Sequence, residues 1–106
     1  AAAEGYAQAA LNSTEQRTLP DTQRTLAEIQ LALGNLDAAR VHVDKALSIA
    51  QAHEDRYLEA YAWRVAARIS AGCDDTEGAA FAVARASKLF VELGLAHEME
   101  KTQTII

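Results

Sequence analysis

The chain is 106 residues long, half of them apolar, with a net charge of -5 and one proline. That length suits one domain and is short for two, while the negative charge and the lack of any Lys/Arg run exclude a nucleic-acid backbone or an anionic membrane surface as the expected main partner. Cys73 has no second cysteine to pair with, no run approaches the ~18 apolar residues of a membrane span, and the opening "AAAEGY" lacks the basic start and apolar stretch of a signal peptide, so the expected setting is cytoplasmic.

Alanine dominates the apolar fraction and aromatics make up only 6 % of the chain. Alanine is the strongest helix former, so this composition predicts an all-α protein. The first predicted helix runs from Ala1 to Asn12 and gives way to the polar "NSTEQ". Pro20 suits the first turn of the second, where its missing N–H leaves no bond unmade. From Asp21 to Leu33, the apolar positions Leu26, Ile29, Ala32 and Leu33 recur at spacings of three and four. Gly34 is placed to end that helix in a left-handed conformation, and Asn35 to cap the next, Leu36 to about His53. The buried face of that third helix reads Leu36, Ala39, Val43, Ala46, Leu47 and Ala50.

After "HED", a fourth helix is expected from about Arg56 to Ala71, stopped by Gly72. In "CDDTE", Asp74 stands three residues before Glu77, an Asp variant of the capping box. The fifth helix is expected over roughly Glu77 to Leu93, ended by Gly94, and a last one from Ala96 to the end at Ile106. No stretch alternates with period two, so no strand is expected.

The pattern repeats. Ala39 and Ala46 lie seven residues apart, as do Ala79 and Ala86, and forty residues separate the pairs. The same shift carries Gln23 to Trp63, Arg24 to Arg64, Leu26 to Ala66 and Ala27 to Ala67. Ala3 and Ala10 make an earlier pair. Helices approach to about 8 Å only where the side chains at their crossing are small. Paired alanines two turns apart therefore let the second helix of a hairpin press on its own first helix and on the first helix of the next hairpin. Such a core is never closed within one unit; stacking completes it.

These residues resemble the tetratricopeptide repeat, a helix-turn-helix unit with small residues in its first helix, a Gly-Asp/Asn-aromatic/Leu turn and two alanines seven apart in its second. Leu26–Ala27, "GNLDAA" from Gly34 to Ala39, and Ala46 carry the match in a unit spanning 20–53. A second unit, 56–94, carries Trp63, Ala66–Ala67, Ala79 and Ala86 but departs at the turn, where "GCDDTEGAA" is longer and lacks the aromatic or Leu. Half-units at 1–13 and 95–106 complete the reading: one domain of stacked antiparallel helix hairpins, an α-solenoid fragment cut from a longer array. The spacing, and endings such as "KLFVELGLAHEMEKT", are similar to divergent repeats in large bacterial regulators.

The resemblance implies a protein-binding scaffold whose groove is lined by the first helix of each unit, taking an extended peptide or a helix of a partner. Candidate groove residues are Arg24, Thr25, Glu28 and Leu31 in one unit and Tyr61, Arg64, Val65 and Arg68 in the next. Arg24, Arg64 and Arg68 form an arginine strip that would suit acidic side chains or a terminal carboxylate; the plainer reading is a solvated face neutralised by Glu28, Asp55 and Glu59. Trp63 is expected in the core, and Tyr61, rotated about 200° from it, toward the groove. The lysine- and asparagine-based clamp of chaperone-tail-binding members has no match at these positions.

Nothing in the sequence points to catalysis, a metal or a cofactor. His42, His53 and His97 lie in separate segments without ligand spacing, Cys73 stands beside two acids that disfavour its thiolate, and the "DDTE" acids lack the glycine and spacing of a calcium loop. No nucleophile elbow or phosphate-binding glycine loop occurs. The alternative to a binding groove is self-assembly, a homodimer formed through the end helices, with Leu11 and the "TII" terminus as its exposed apolar surface.

Overall fold

Four interhelical turns of three residues, spaced twenty residues apart, set the architecture. A computed structural model describes residues 19–105, with side chains from 22 onward. Its elements are α1 (Leu19–Ala32), α2 (Leu36–Ala52), α3 (Arg56–Gly72), α4 (Thr76–Glu92) and α5 (Ala96–Gln103); the described residues contain no strand. The predicted helix over Ala1–Asn12, with Ala3, Ala10 and Leu11, lies outside them.

Each turn is closed by the same pair of backbone hydrogen bonds. The N–H groups of Asn35, Asp55, Asp75 and Leu95 donate to the carbonyls of Gln30, Ala50, Ser70 and Phe90 at 2.7 to 2.9 Å. Those of Gly34, Glu54, Asp74 and Gly94 donate to Leu31, Gln51, Ala71 and Val91 at 3.0 to 3.2 Å. This is the Schellman arrangement, which satisfies carbonyls that a helix end would otherwise leave open and places one residue in the left-handed region. That residue is Gly34 (φ 80), Glu54 (φ 54), Asp74 (φ 58) and Gly94 (φ 75) in turn.

Four sequence expectations change here. Gly72 does not stop α3; it is its last helical residue, and Asp74 supplies the left-handed position. The turn before α4 is no longer than the others, because Thr76 already belongs to the helix. The cap is Asp75, whose carboxylate accepts from the Gly78 N–H at 3.0 Å, in place of the expected Asp74–Glu77 box. Asp55 caps α3 in the same manner through the Leu58 N–H. Asn35 precedes α2 without a side-chain cap; its amide donates instead to Gln30.

Consecutive helices pack on each other, and α1 also packs on α3. The alanines of the repeat are where this contact is made: Ala39, Ala46, Ala79 and Ala86 are all fully buried. Ala39, Val43, Ala46 and Leu47 share one cluster with Ala27 of α1 and with Ala62, Ala66 and Ile69 of α3. Val43 and Leu47 fill the space that the alanines leave between helices. A second cluster centres on Phe90, with Ala60, Ala86, Leu93, Leu95 and Met99 around it. Burying a ring of that size contributes about 2–3 kcal/mol. Polar residues bridge the layers too: His42 Nδ1 lies 2.9 Å from Gln23 Oε1 in the buried α1–α2 seam, and Arg40 donates to Ser70 Oγ at 2.9 Å.

The C-terminal end also differs from expectation. α5 ends at Gln103 rather than at Ile106, and Thr102 is fully buried with its hydroxyl donating to the Glu98 carbonyl. Ile105 packs against the core cluster, so this part of the "TII" terminus is not open apolar surface.

Candidate functional site

Residues four, three and four apart on a helix stay on one face, and α3 presents Tyr57, Tyr61, Arg64 and Arg68 at that spacing. This face meets α1 on one side and α5 on the other through a chain of charged and aromatic contacts. Arg24 of α1 holds its guanidinium carbon 5.6 Å from the centre of the Tyr61 ring, and Arg64 lies 4.8 Å from the same ring. The forty-residue shift that relates the two arginines thus converges on one tyrosine. Tyr61 packs edge-on against Phe90 at 5.1 Å and beside Tyr57, also at 5.1 Å.

Each arginine has its own acid. Arg24 bonds Glu28 one helical turn on at 3.1 Å. Arg64 reaches Glu98 of α5, its side chain only 17 % exposed, and Lys101 lies 3.7 Å from the other oxygen of the same carboxylate. The hydrogen bond from Arg64 holds the Glu98 carboxyl below its ordinary value, helped by the charges of Arg64 and Lys101 and opposed by desolvation. Tyr61 is pushed up to about 12, first by a hydrogen bond with Tyr57, then by burial and by the Glu98 charge.

Of the three candidate arginines, two are engaged within the chain. Arg24 and Arg64 are brought together but are engaged with acids and with Tyr61; Arg68 is exposed and pairs with no acid among the described residues. Val65 does not face outward: it is 2 % exposed and belongs to the cluster holding Ala27, Ala39 and Ala66. The reason lies in stacking. α3, packed against α1, α2 and α4, keeps a narrower exposed stripe than a helix of an isolated hairpin would. Leu31 is half-buried against the same cluster, Thr25 is exposed, and Glu28 is half-buried beside Arg24. Trp63 packs against both core clusters without being fully buried, its indole N–H donating to Glu59 at 3.1 Å.

Tyr57, Glu98 and Lys101 were missing from the sequence-based set. Their signal was the repeat itself: Arg24 meets Tyr61 and Arg64 meets Glu98, partners 37 and 34 residues apart on successive inner helices.

Among the described residues no group of three His, Cys, Asp or Glu side chains is placed to hold a metal ion, and no helix is long and apolar enough to cross a membrane. Compared with family models, curated proteins and solved structures, the chain matches none.

Proposed function

We propose that the chain is a non-catalytic binding element of tetratricopeptide-like helix hairpins, which holds a peptide or helix of a partner protein along the face shared by α1, α3 and α5. The observation that carries this reading is the recurrence of one helix-turn-helix unit at a fixed spacing, with the first helices of successive units in contact and their outward side chains meeting in one row. A row of this kind offers a partner aromatic faces and fixed charges on a rigid support, with little ordering left to do on binding. Tyr57, half exposed, and Arg68 are the groups free to reach out from it, while the Arg24–Glu28 and Arg64–Glu98 pairs hold the row in shape. The acids on this face are bound to arginines, which suits positioning rather than proton transfer. A carboxylate-bearing segment is the fitting ligand for Arg68.

The wider placement, in a bacterial regulatory or scaffolding protein, rests on the resemblance alone. Pairing of copies through the end helices has less to recommend it, since Ile105 packs on the core.

The test is a displayed peptide library selected on the purified chain and counter-screened on Arg68→Glu and Tyr57→Ala. The reading predicts peptides that bind the parent chain and lose binding to both variants, with circular dichroism unchanged. Enriched peptides indifferent to both substitutions would show that binding lies elsewhere.

A further inference from the structure

The opposite flank of α3 bears a second set of side chains, Arg56, Glu59 and Trp63, spaced three and four apart and facing α2 and α4. Between these helices lies an open trough of about 250 Å³ lined by Arg56, Glu59, Arg85, Lys88, Leu89 and Glu92. A further hollow, sharing Arg56 and Glu59, continues it toward Gln51 and Glu54 at the end of α2. Arg85 of its lining also reaches an aromatic pair: Trp63 and Phe81 meet edge to face at 5.7 Å, and the Arg85 guanidinium stands 5.6 Å from the Trp63 ring and 5.7 Å from that of Phe81. Phe81 is 58 % exposed, an unusual state for one of only two phenylalanines in the chain.

Charge decides what this trough suits. Arg56 is matched by Glu92 at 3.5 Å. Glu59 accepts from Trp63 Nε1 and Gln51 Nε2, which ties down the carboxylate and orients the indole. Glu59 and Glu92 line the same trough, but among the described residues neither forms an ion pair with Arg85 or Lys88. Three cations, Arg56, Arg85 and Lys88, against two acids, Glu59 and Glu92, leave the trough's lining one positive charge in excess on a chain of net charge -5.

We propose that this trough is a second docking surface, whose occupant is a short acidic peptide of another protein that lays an apolar side chain against Trp63 and Phe81 and carboxylates on Arg85 and Lys88. The surface is separate from the α1–α3–α5 face, and either stands if the other fails. Charge-assisted contacts from Arg85 and Lys88 supply direction, and the rings supply apolar area at small entropic cost.

Trp63 is the one tryptophan in the chain, so its fluorescence reports occupancy directly. The probe is acetyl-Glu-Glu-Phe-Glu-Glu-amide titrated into the full chain, with acetyl-Lys-Lys-Phe-Lys-Lys-amide as its charge-reversed counterpart. The expected result is a saturable change in Trp63 emission with the acidic peptide, weakened about tenfold or more by the Arg85→Glu/Lys88→Glu pair and untouched by Arg68→Glu. Because both substituted side chains are exposed, circular dichroism should confirm an unchanged fold; should that pair disturb it, Arg85→Gln/Lys88→Gln replaces it with the same expected direction. No saturable change up to millimolar peptide, an equal response to the lysine peptide, or indifference to the paired substitution overturns the proposal. So does a Trp63 response to phosphatidylglycerol vesicles in the absence of any response to the acidic peptide, which would assign the cations to a lipid surface.

Discussion

Glu54 and Asp74 occupy positions that Gly34 and Gly94 occupy in the other two turns, with the same hydrogen bonds and φ of 54 and 58 against 80 and 75. An L-residue other than glycine in the left-handed region costs roughly 1–2 kcal/mol, while glycine gives back about 0.4–1 kcal/mol through the freedom of its unfolded chain. Glu54→Gly should accordingly stabilise the protein by about 0.5–1 kcal/mol, and Asp74→Gly by less, because a short polar side chain tolerates this conformation better. For a domain of this size, about 1 kcal/mol moves the melting temperature by about 4–8 °C. The reverse substitution is an unusually clean control: a Cβ built on Gly34 or Gly94 meets nothing within 4 Å. Gly34→Ala should therefore lose about 1 kcal/mol by backbone strain alone, with no clash to confuse it. Urea unfolding of the four variants, with Glu54→Gln to separate the charge, measures all of this at once. If Glu54→Gly destabilises the fold while Gly34→Ala leaves it unchanged, the equivalence of the four turns is wrong.

Ala79 is fully buried and Ala80 beside it exposed; Ala79→Leu should cost about 1–3 kcal/mol by forcing helices apart, whereas Ala80→Leu should stay within about 0.5 kcal/mol, both read by denaturant midpoints. Glu98, whose folded carboxyl titrates below its ordinary 4.5, should stabilise the protein above that pH and lose its contribution as pH falls through its lowered folded value. The stability gap between the parent chain and Glu98→Gln should then narrow on acidification below 4.5; a gap that holds or widens there would separate Glu98 from Arg64.

The helices were legible because alanine spacing and glycine stops carry local signals: Gly34 and Gly94 sit where their conformational freedom is used. Gly72 misled for the same reason, since a glycine two residues early looked like a stop while the true left-handed residue, Asp74, had no local mark. Closure of the α3–α4 hairpin sets that turn, so the forty-residue period was a better guide to it than its own composition. The shared face of Arg24 and Arg64 was legible from the same period. Their engagement was not, because Glu98 belongs to α5 and Val65 is covered by packing with α1 and α2. What a single hairpin exposes is a poor guide to what a stack of hairpins exposes.

That difference bears on where binding lives. Of six aromatic residues in the chain, five lie on α3 and α4: Tyr57, Tyr61, Trp63, Phe81 and Phe90. Only Phe90 is fully buried. The α1–α2 unit, by contrast, fills the matching places with Gln23 at the position of Trp63 and Ala50 at that of Phe90. Tyr61 and Trp63 pack against the buried clusters while keeping part of each ring open, so they support the core and also face the two proposed binding surfaces. The partly open aromatics sort onto two flanks of α3, Tyr57 and Tyr61 with Arg64 on one and Trp63 with Phe81 and Arg85 on the other. The buried positions of α3, Ala60, Ala62, Val65, Ala66, Ala67 and Ile69, are mostly alanine and let neighbouring helices pack close on either side of it. The small residues that close the stack thereby also shape the two surfaces it offers.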